Sequence, residues 1–188
     1  MRNRKYTPFF CEENIWHLGR ERSQHQPVGD FSVWILRGRG SAFVIFAQKA
    51  AVPGEPLFWD YHVVLVDDHH RLVYDFDTLA PFPCPEDEYL QWAFGPGQAA
   101  PIDVQGLIRA VDLSVYLHRF SSDRSHMLDE RGCPLHPFPL WPCLTSTQQP
   151  LTLKDLLDPV ATDQDLRPFR LWRNFGRNDG KNLPDFDL

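Results

Sequence analysis

The chain has 188 residues, 43% hydrophobic and 23% charged, with a formal net charge of -6; this describes a single globular domain that buries a core without staples. The acidic balance, with no basic run longer than Arg2-Asn3-Arg4-Lys5, argues against nucleic acid as a partner and mildly favours a cationic ligand such as an α-amino group. No apolar run approaches the ~20 residues that span a bilayer or follows the first basic residues as in a signal peptide, and Cys11, Cys84, Cys133 and Cys143 form no C-x-x-C pair, so the expectation is a cytosolic protein (nuclear too, if eukaryotic) with reduced thiols rather than a zinc ribbon.

Residues 1–10 read as a short lead-in. A helix is predicted from Glu12 to about Gln24, with Ile15, Trp16 and Leu18 on its apolar face and two glutamates in its first turn, where the helix dipole favours them. Phe31 to Leu36 and Ala42 to Phe46 are predicted strands, joined by the tight polar turn 37–41. Both are apolar on either face, so the sheet should be covered on both sides. Trp59 to Val66 and Leu72 to Phe76 are two more strands, connected through Asp67-Asp68-His69-His70. The proline-rich stretch from Pro81 to Pro85 cannot be a central strand. Glu86 to Phe94 reads as a helix that Gly95-Pro96-Gly97 ends. A strand is expected over Leu107 to Val111 and a helical segment over Ser114 to Phe120. Residues 134–150 form an ordered loop, and Thr152-Leu153-Lys154-Asp155 starts another helix. The last fifteen or so residues are polar and read as a fraying end.

The chemistry concentrates on the strands around the Asp67–His70 turn. If that hairpin is symmetric about the turn, Val66 faces Arg71, Val64 faces Val73, and His62 faces Asp75. Opposed residues have Cβ atoms about 4.5–5.5 Å apart, so the aspartate can bond one ring nitrogen and leave the other free for a nucleophile's proton. A one-residue bulge would bring Asp77, or no acid, there instead, so Asp77 is the reserve candidate. A lone histidine in such a place is more often a satisfied core residue; a facing acid weakens that reading. For the nucleophile, Cys11 stands at a helix start, where thiol pKa falls and backbone N–H groups can hold an oxyanion, although Glu12 and Glu13 oppose the shift. The residues alone leave all four thiols open. No G-x-S-x-G elbow supports a serine. His69-His70 beside Asp67-Asp68 has no metal-ligand spacing and reads as a solvated turn.

Five blocks in order then identify a family: Cys11-Glu12-Glu13-Asn14-Ile15-Trp16; Trp59-Asp60-Tyr61-His62-Val63-Val64-Leu65; Tyr74 to Cys84 (Tyr-Asp-Phe-Asp-Thr-Leu-Ala-Pro-Phe-Pro-Cys); Phe120 to Met127 (Phe-Ser-Ser-Asp-Arg-Ser-His-Met); and Pro139-Leu140-Trp141-Pro142-Cys143. Together they resemble the protein N-terminal glutamine amidohydrolases over about residues 8–143. The resemblance implies an α+β fold, a mostly antiparallel sheet with packed helices, like papain and the transglutaminase core. It implies a Cys-His-Asp triad at Cys11, His62 and Asp75, with no metal or organic cofactor. The implied reaction removes the side-chain amide of an N-terminal glutamine through a cysteine thioester, which in eukaryotes feeds the N-degron pathway. The implied partners are peptides or proteins that begin with glutamine, acted on by a monomer, with no nucleic acid or membrane involved. Recognition of the α-ammonium needs a carboxylate or carbonyl; Asp77 is the first choice, with Asp60, Glu12, Glu13 and Asp123 also available. Two alternatives share the same features: another papain-like cysteine enzyme (protease or transglutaminase), and a non-catalytic module that binds N-termini.

Overall fold

A strand apolar on both faces demands cover on both faces, and the segment from Phe31 receives it. The computed structural model describes residues 5–97 and 99–174. Its strands, in chain order, are β1 (Phe31–Arg37), β2 (Phe43–Ile45), β3 (Leu57–Trp59), β4 (Tyr61–Asp67), β5 (Leu72–Tyr74), β6 (Cys84–Pro85), β7 (Leu107–Asp112) and β8 (Arg170–Leu171). The helices are α1 (Cys11–Arg22), α2 (Glu86–Phe94), α3 (Leu113–Arg119) and α4 (Leu153–Leu157). Six strands form one sheet in the order β6-β5-β4-β1-β7-β8, and every neighbouring pair is antiparallel. The α+β class read from the sequence therefore holds.

Period-two alternation sorts the sheet's side chains into two cores. Val33, Ile35, Val63 and Leu65 pack with Ile15 and Leu18 of α1 and with Leu113 and Tyr116 of α3. Trp34, Leu36, Val64 and Val66 pack on the other face with Tyr89, Leu90, Ala93 and Phe94 of α2 and Phe43 and Ile45 of β2. Each such buried side chain contributes about 1.5–3 kcal/mol of transfer free energy. Gly19 lets α1 and α3 approach: a Cβ there would lie 2.5 Å from Leu113 Cδ1.

Two local expectations change. The strands on either side of the 37–41 turn do not pair; β1 takes β4 and β7 as neighbours, while β2 pairs with β3 in a separate ribbon. The predicted strand from Trp59 breaks at exposed Asp60, where the chain leaves that ribbon for the main sheet. The proline-rich stretch supplies only the two-residue edge strand β6, consistent with its exclusion from the centre of the sheet. The capping box at Thr152 and Asp155 forms as read. The polar end from residue 175 onward lies outside the described residues.

The stretch beyond residue 150 is tied into the fold through Arg109 of β7, a fully buried cation. Its guanidinium donates to the carbonyls of Arg167, Leu156 and Asp158 at 2.7, 2.9 and 2.8 Å and stacks over Phe169. The Leu156 carbonyl belongs to the last turn of α4, where helix carbonyls lack intrahelical partners, so the guanidinium acts as its cap.

Candidate active site

The β4–β5 hairpin sets the first half of the site, in a register that differs from the symmetric one. Val66 pairs with Val73 and Asp67 with Leu72, a slip of two residues. Arg71 is drawn into the turn with a left-handed φ of 54°. Asp67 holds the turn closed by accepting the His70 N–H at 2.9 Å and bonding its ring. His62 therefore does not face Asp75 directly, and β5 ends at Tyr74, before the acid. A slip of two keeps the parity of the side chains, so both residues remain on the face that carries Val64, Val66 and Val73. They meet as diagonal neighbours: His62 Nε2 lies 2.9 Å from Asp75 Oδ1, with both residues buried.

Asp75 is enclosed by donors. Oδ1 also accepts the Asp77 backbone N–H at 2.8 Å; Oδ2 accepts the Tyr89 hydroxyl at 3.0 Å and Gln48 Nε2 at 3.5 Å. Burial alone would raise this carboxyl; the charge and bond of His62, with the Asp77 and Tyr89 bonds, hold it below the usual carboxylate range. Burial alone would likewise lower His62; the charge and bond of Asp75, with Asp77 and Glu12 behind them, hold it above the ordinary imidazole value. The other ring nitrogen, Nδ1, has no hydrogen-bond partner among the described residues. The Trp59 ring stacks 5.6 Å from the imidazole. Tyr89 and Gln48 are site residues the sequence did not reveal. Each sits in a segment whose pattern signals only helix or loop, and only the packing of α2 brings Tyr89 under Asp75.

Cys11 is the first residue of α1, and Phe10 at the N-cap makes no side-chain cap bond. The approach to the helix is pinned by Asn14, which accepts the Thr7 N–H at 2.9 Å and donates to its carbonyl at 2.8 Å. The predicted lowering of the thiol does not occur. Burial, then the charges of Glu12 and Asp77, push Cys11 well above the ordinary thiol range, although a Val63 N–H bond to the sulfur acts the other way. The group is a neutral thiol that donates to Glu12 Oε2 at 3.6 Å. Charges on Glu12 and Asp77 act on Cys11 and His62 alike, so the two halves share one electrostatic site. Among the other thiols, Cys84 is buried and Cys133 and Cys143 are exposed; all are free.

The acidic candidates separate clearly. Glu13 is fully buried and spent on structure: Arg124 meets its two oxygens at 2.8 Å each, with Ser122 at 2.8 Å and Trp141 Nε1 at 2.6 Å. This clamp fastens the 120–141 loop to α1. Glu12 is also fully buried; Oε2 accepts the Tyr61 hydroxyl at 3.1 Å. That hydroxyl also lies 3.1 Å from His126 Nε2. Asp77 is half-buried and accepts the Tyr6 hydroxyl at 2.7 Å. Asp60 is exposed; Asp123 is exposed and caps the Ser125 N–H at 2.9 Å. His62, Asp75 and Asp77 each offer an atom within 4.8 Å of the others, a spacing that could hold a metal ion. His62 and Asp75 already bond each other there.

A family model described as N-terminal glutamine amidase matches residues 6–175, extending the resemblance at both ends. A Danio rerio protein named protein N-terminal glutamine amidohydrolase is 33% identical over 157 residues, covering 81% of this chain and 78% of that protein. Proteins of the same name from Homo sapiens (32% over 157 residues, 81% and 77%) and Oryza sativa subsp. indica (32% over 138 residues, 68% and 60%) are also similar. With that match running across nearly the whole described fold and through both halves of the site, the chain belongs to the N-terminal glutamine amidase family.

Proposed function

We propose that this chain hydrolyses the side-chain amide of an N-terminal glutamine, releasing ammonia and leaving N-terminal glutamate, with Cys11, His62 and Asp75 as its catalytic groups. One observation carries the chemical part of this reading: a buried imidazole held by a carboxylate through Nε2, with Nδ1 unbonded, in the same electrostatic site as a helix-terminal thiol. Family membership supports the choice of substrate.

In this mechanism His62 Nδ1 takes the Cys11 proton as sulfur bonds to the amide carbon. The oxyanion that forms is held by N–H groups of the first turn of α1, which no side chain caps. His62 returns the proton to the departing nitrogen, the C–N bond breaks, and ammonia leaves. Water then attacks the thioester as His62 accepts its proton; the C–S bond breaks and the proton returns to sulfur. Asp75 keeps Nε2 as the N–H nitrogen throughout and stabilises the imidazolium. The same reading has a monomer acting in the cytosol, where four free cysteines, two of them exposed, stay reduced.

The test is ammonia release and mass change on a Gln-initiated peptide, beside the same peptide acetylated at its N-terminus. Conversion of amide to acid in the free peptide alone is expected. Backbone cleavage, or amine incorporation at internal glutamines, would instead mark a protease or a transglutaminase. Peptide binding with no ammonia released would mark a binding module.

A further inference from the structure

Glu12 is the residue of α1 whose chemistry the triad does not use. It is 0% exposed, yet its Oε1 has no hydrogen-bond partner among the described residues. Among the described residues no lysine or arginine forms an ion pair with it; the His126 ring, a cation only when protonated, has its Nε2 3.5 Å from Oε1. A buried carboxylate in that condition is costly unless a cation or donor completes it. The neighbouring contacts hold the rest of the residue in place. Tyr61 donates to the opposite oxygen at 3.1 Å, and Tyr116 fixes the Glu12 backbone by donating to its carbonyl at 3.0 Å. Arg124, the nearby arginine, is committed to Glu13.

The location fits one end of the proposed substrate. Glu12 Oε2 is 3.6 Å from the Cys11 sulfur. In a glutamine the amide carbon and the α-nitrogen are four bonds apart, about 5 Å when extended, and attack brings sulfur to about 3–3.5 Å from that carbon. A carboxylate beside the sulfur is therefore within reach of the α-ammonium while the amide is under attack. The other acids fit less well: Asp77 already receives Tyr6, and Asp60 and Asp123 are exposed. We propose that Glu12 Oε1 receives the substrate's α-ammonium, with Tyr61 as the positioning residue that orients the carboxylate. This rests on the reaction proposed above and names the residue that restricts it to chain termini.

The experiment separates the two claims by measuring binding without turnover. Cys11→Ala protein is titrated with a Gln-initiated peptide and with its desamino counterpart, which keeps the side-chain amide and lacks the α-nitrogen. Adding Glu12→Gln should weaken the first peptide about 10- to 100-fold, the range for a lost charge-assisted bond, and leave the second within about twofold. Glu12→Asp, which keeps the charge but draws it back, should give an intermediate loss confined to the first peptide, and it serves if Glu12→Gln does not fold. Equal loss on both peptides, no loss on either, or selective loss from Asp77→Asn instead overturns the assignment. If protein with Cys11 intact releases no ammonia from any Gln peptide, the reaction fails, while the titrations still decide Glu12.

Discussion

Asp75→Asn is the sharpest test of the His62–Asp75 pair, because the surrounding donors dictate how an asparagine must sit. Oδ1 receives His62 Nε2 and the Asp77 backbone N–H; Oδ2 receives Tyr89 and Gln48. A backbone N–H cannot reverse its role, but a tyrosine hydroxyl can rotate to accept. The asparagine oxygen therefore takes the Oδ1 position, and its NH2 faces Tyr89. His62 keeps its orientation and its tautomer and loses only the negative charge beside it. Two unit charges about 4 Å apart attract by about 4 kcal/mol at an effective dielectric of about 20. If that is withdrawn from the imidazolium formed during attack, kcat/KM falls by about 10³-fold. The pH profile supplies an independent check. In the native protein Asp75 holds His62 above its ordinary value against burial, which lowers it. Activity needs the neutral imidazole, so it falls as pH drops through that raised pKa. Without Asp75 only burial and the more distant charges remain, and the acid limb should move to lower pH. The assay is ammonia release from a Gln-initiated peptide between about pH 5 and 9, a span covering the ordinary imidazole range. An acid limb that stays put or moves upward, or a loss below about tenfold, would refute the reasoning.

Other changes probe the same architecture. Cys11→Ala should abolish ammonia release while costing about 1 kcal/mol or less in urea denaturation, since only one buried atom is removed; residual turnover would point to another thiol. Arg124→Met strands the buried Glu13 carboxylate, and loss of one partner of such a pair costs about 3–5 kcal/mol, read as a lower urea midpoint. The Glu13 carboxyl is held below its usual range, against burial, by Arg124, Ser122 and Trp141. Its stabilisation is thus present above the unfolded carboxyl pKa and lost as pH falls through the folded one; the variant should show less of that acid-linked loss. Arg109→Met takes the donor from the Arg167 and Leu156 carbonyls, at about 1–3 kcal/mol each, so the segment from α4 to β8 should become protease-sensitive before the sheet does. Simultaneous loss of both would show that the segment is not separately latched.

Much of this site was legible in the sequence, for a reason that particular residues make plain. Strand side chains alternate with a period of two, so His62 and Asp75 share a face under any even register, and the assignment survived a slip that moved every predicted pair. Cys11 before a run with helical apolar spacing could be read the same way. What the sequence could not decide lay in contacts between distant elements. Whether Asp75 or Asp77 meets the imidazole depends on Arg71 entering the turn in a left-handed conformation and on Tyr89 and Gln48 closing over one acid. Two adjacent glutamates in one helical turn look alike as text. Tertiary structure gave Glu13 an arginine and left Glu12 with one oxygen against the thiol and the other unbonded, and that burial turned the expected low thiol pKa into a raised one. Local periodicity determined which faces the reactive residues occupy; only packing decided their partners, because charge, burial and donor count are properties of an enclosed volume rather than of a segment.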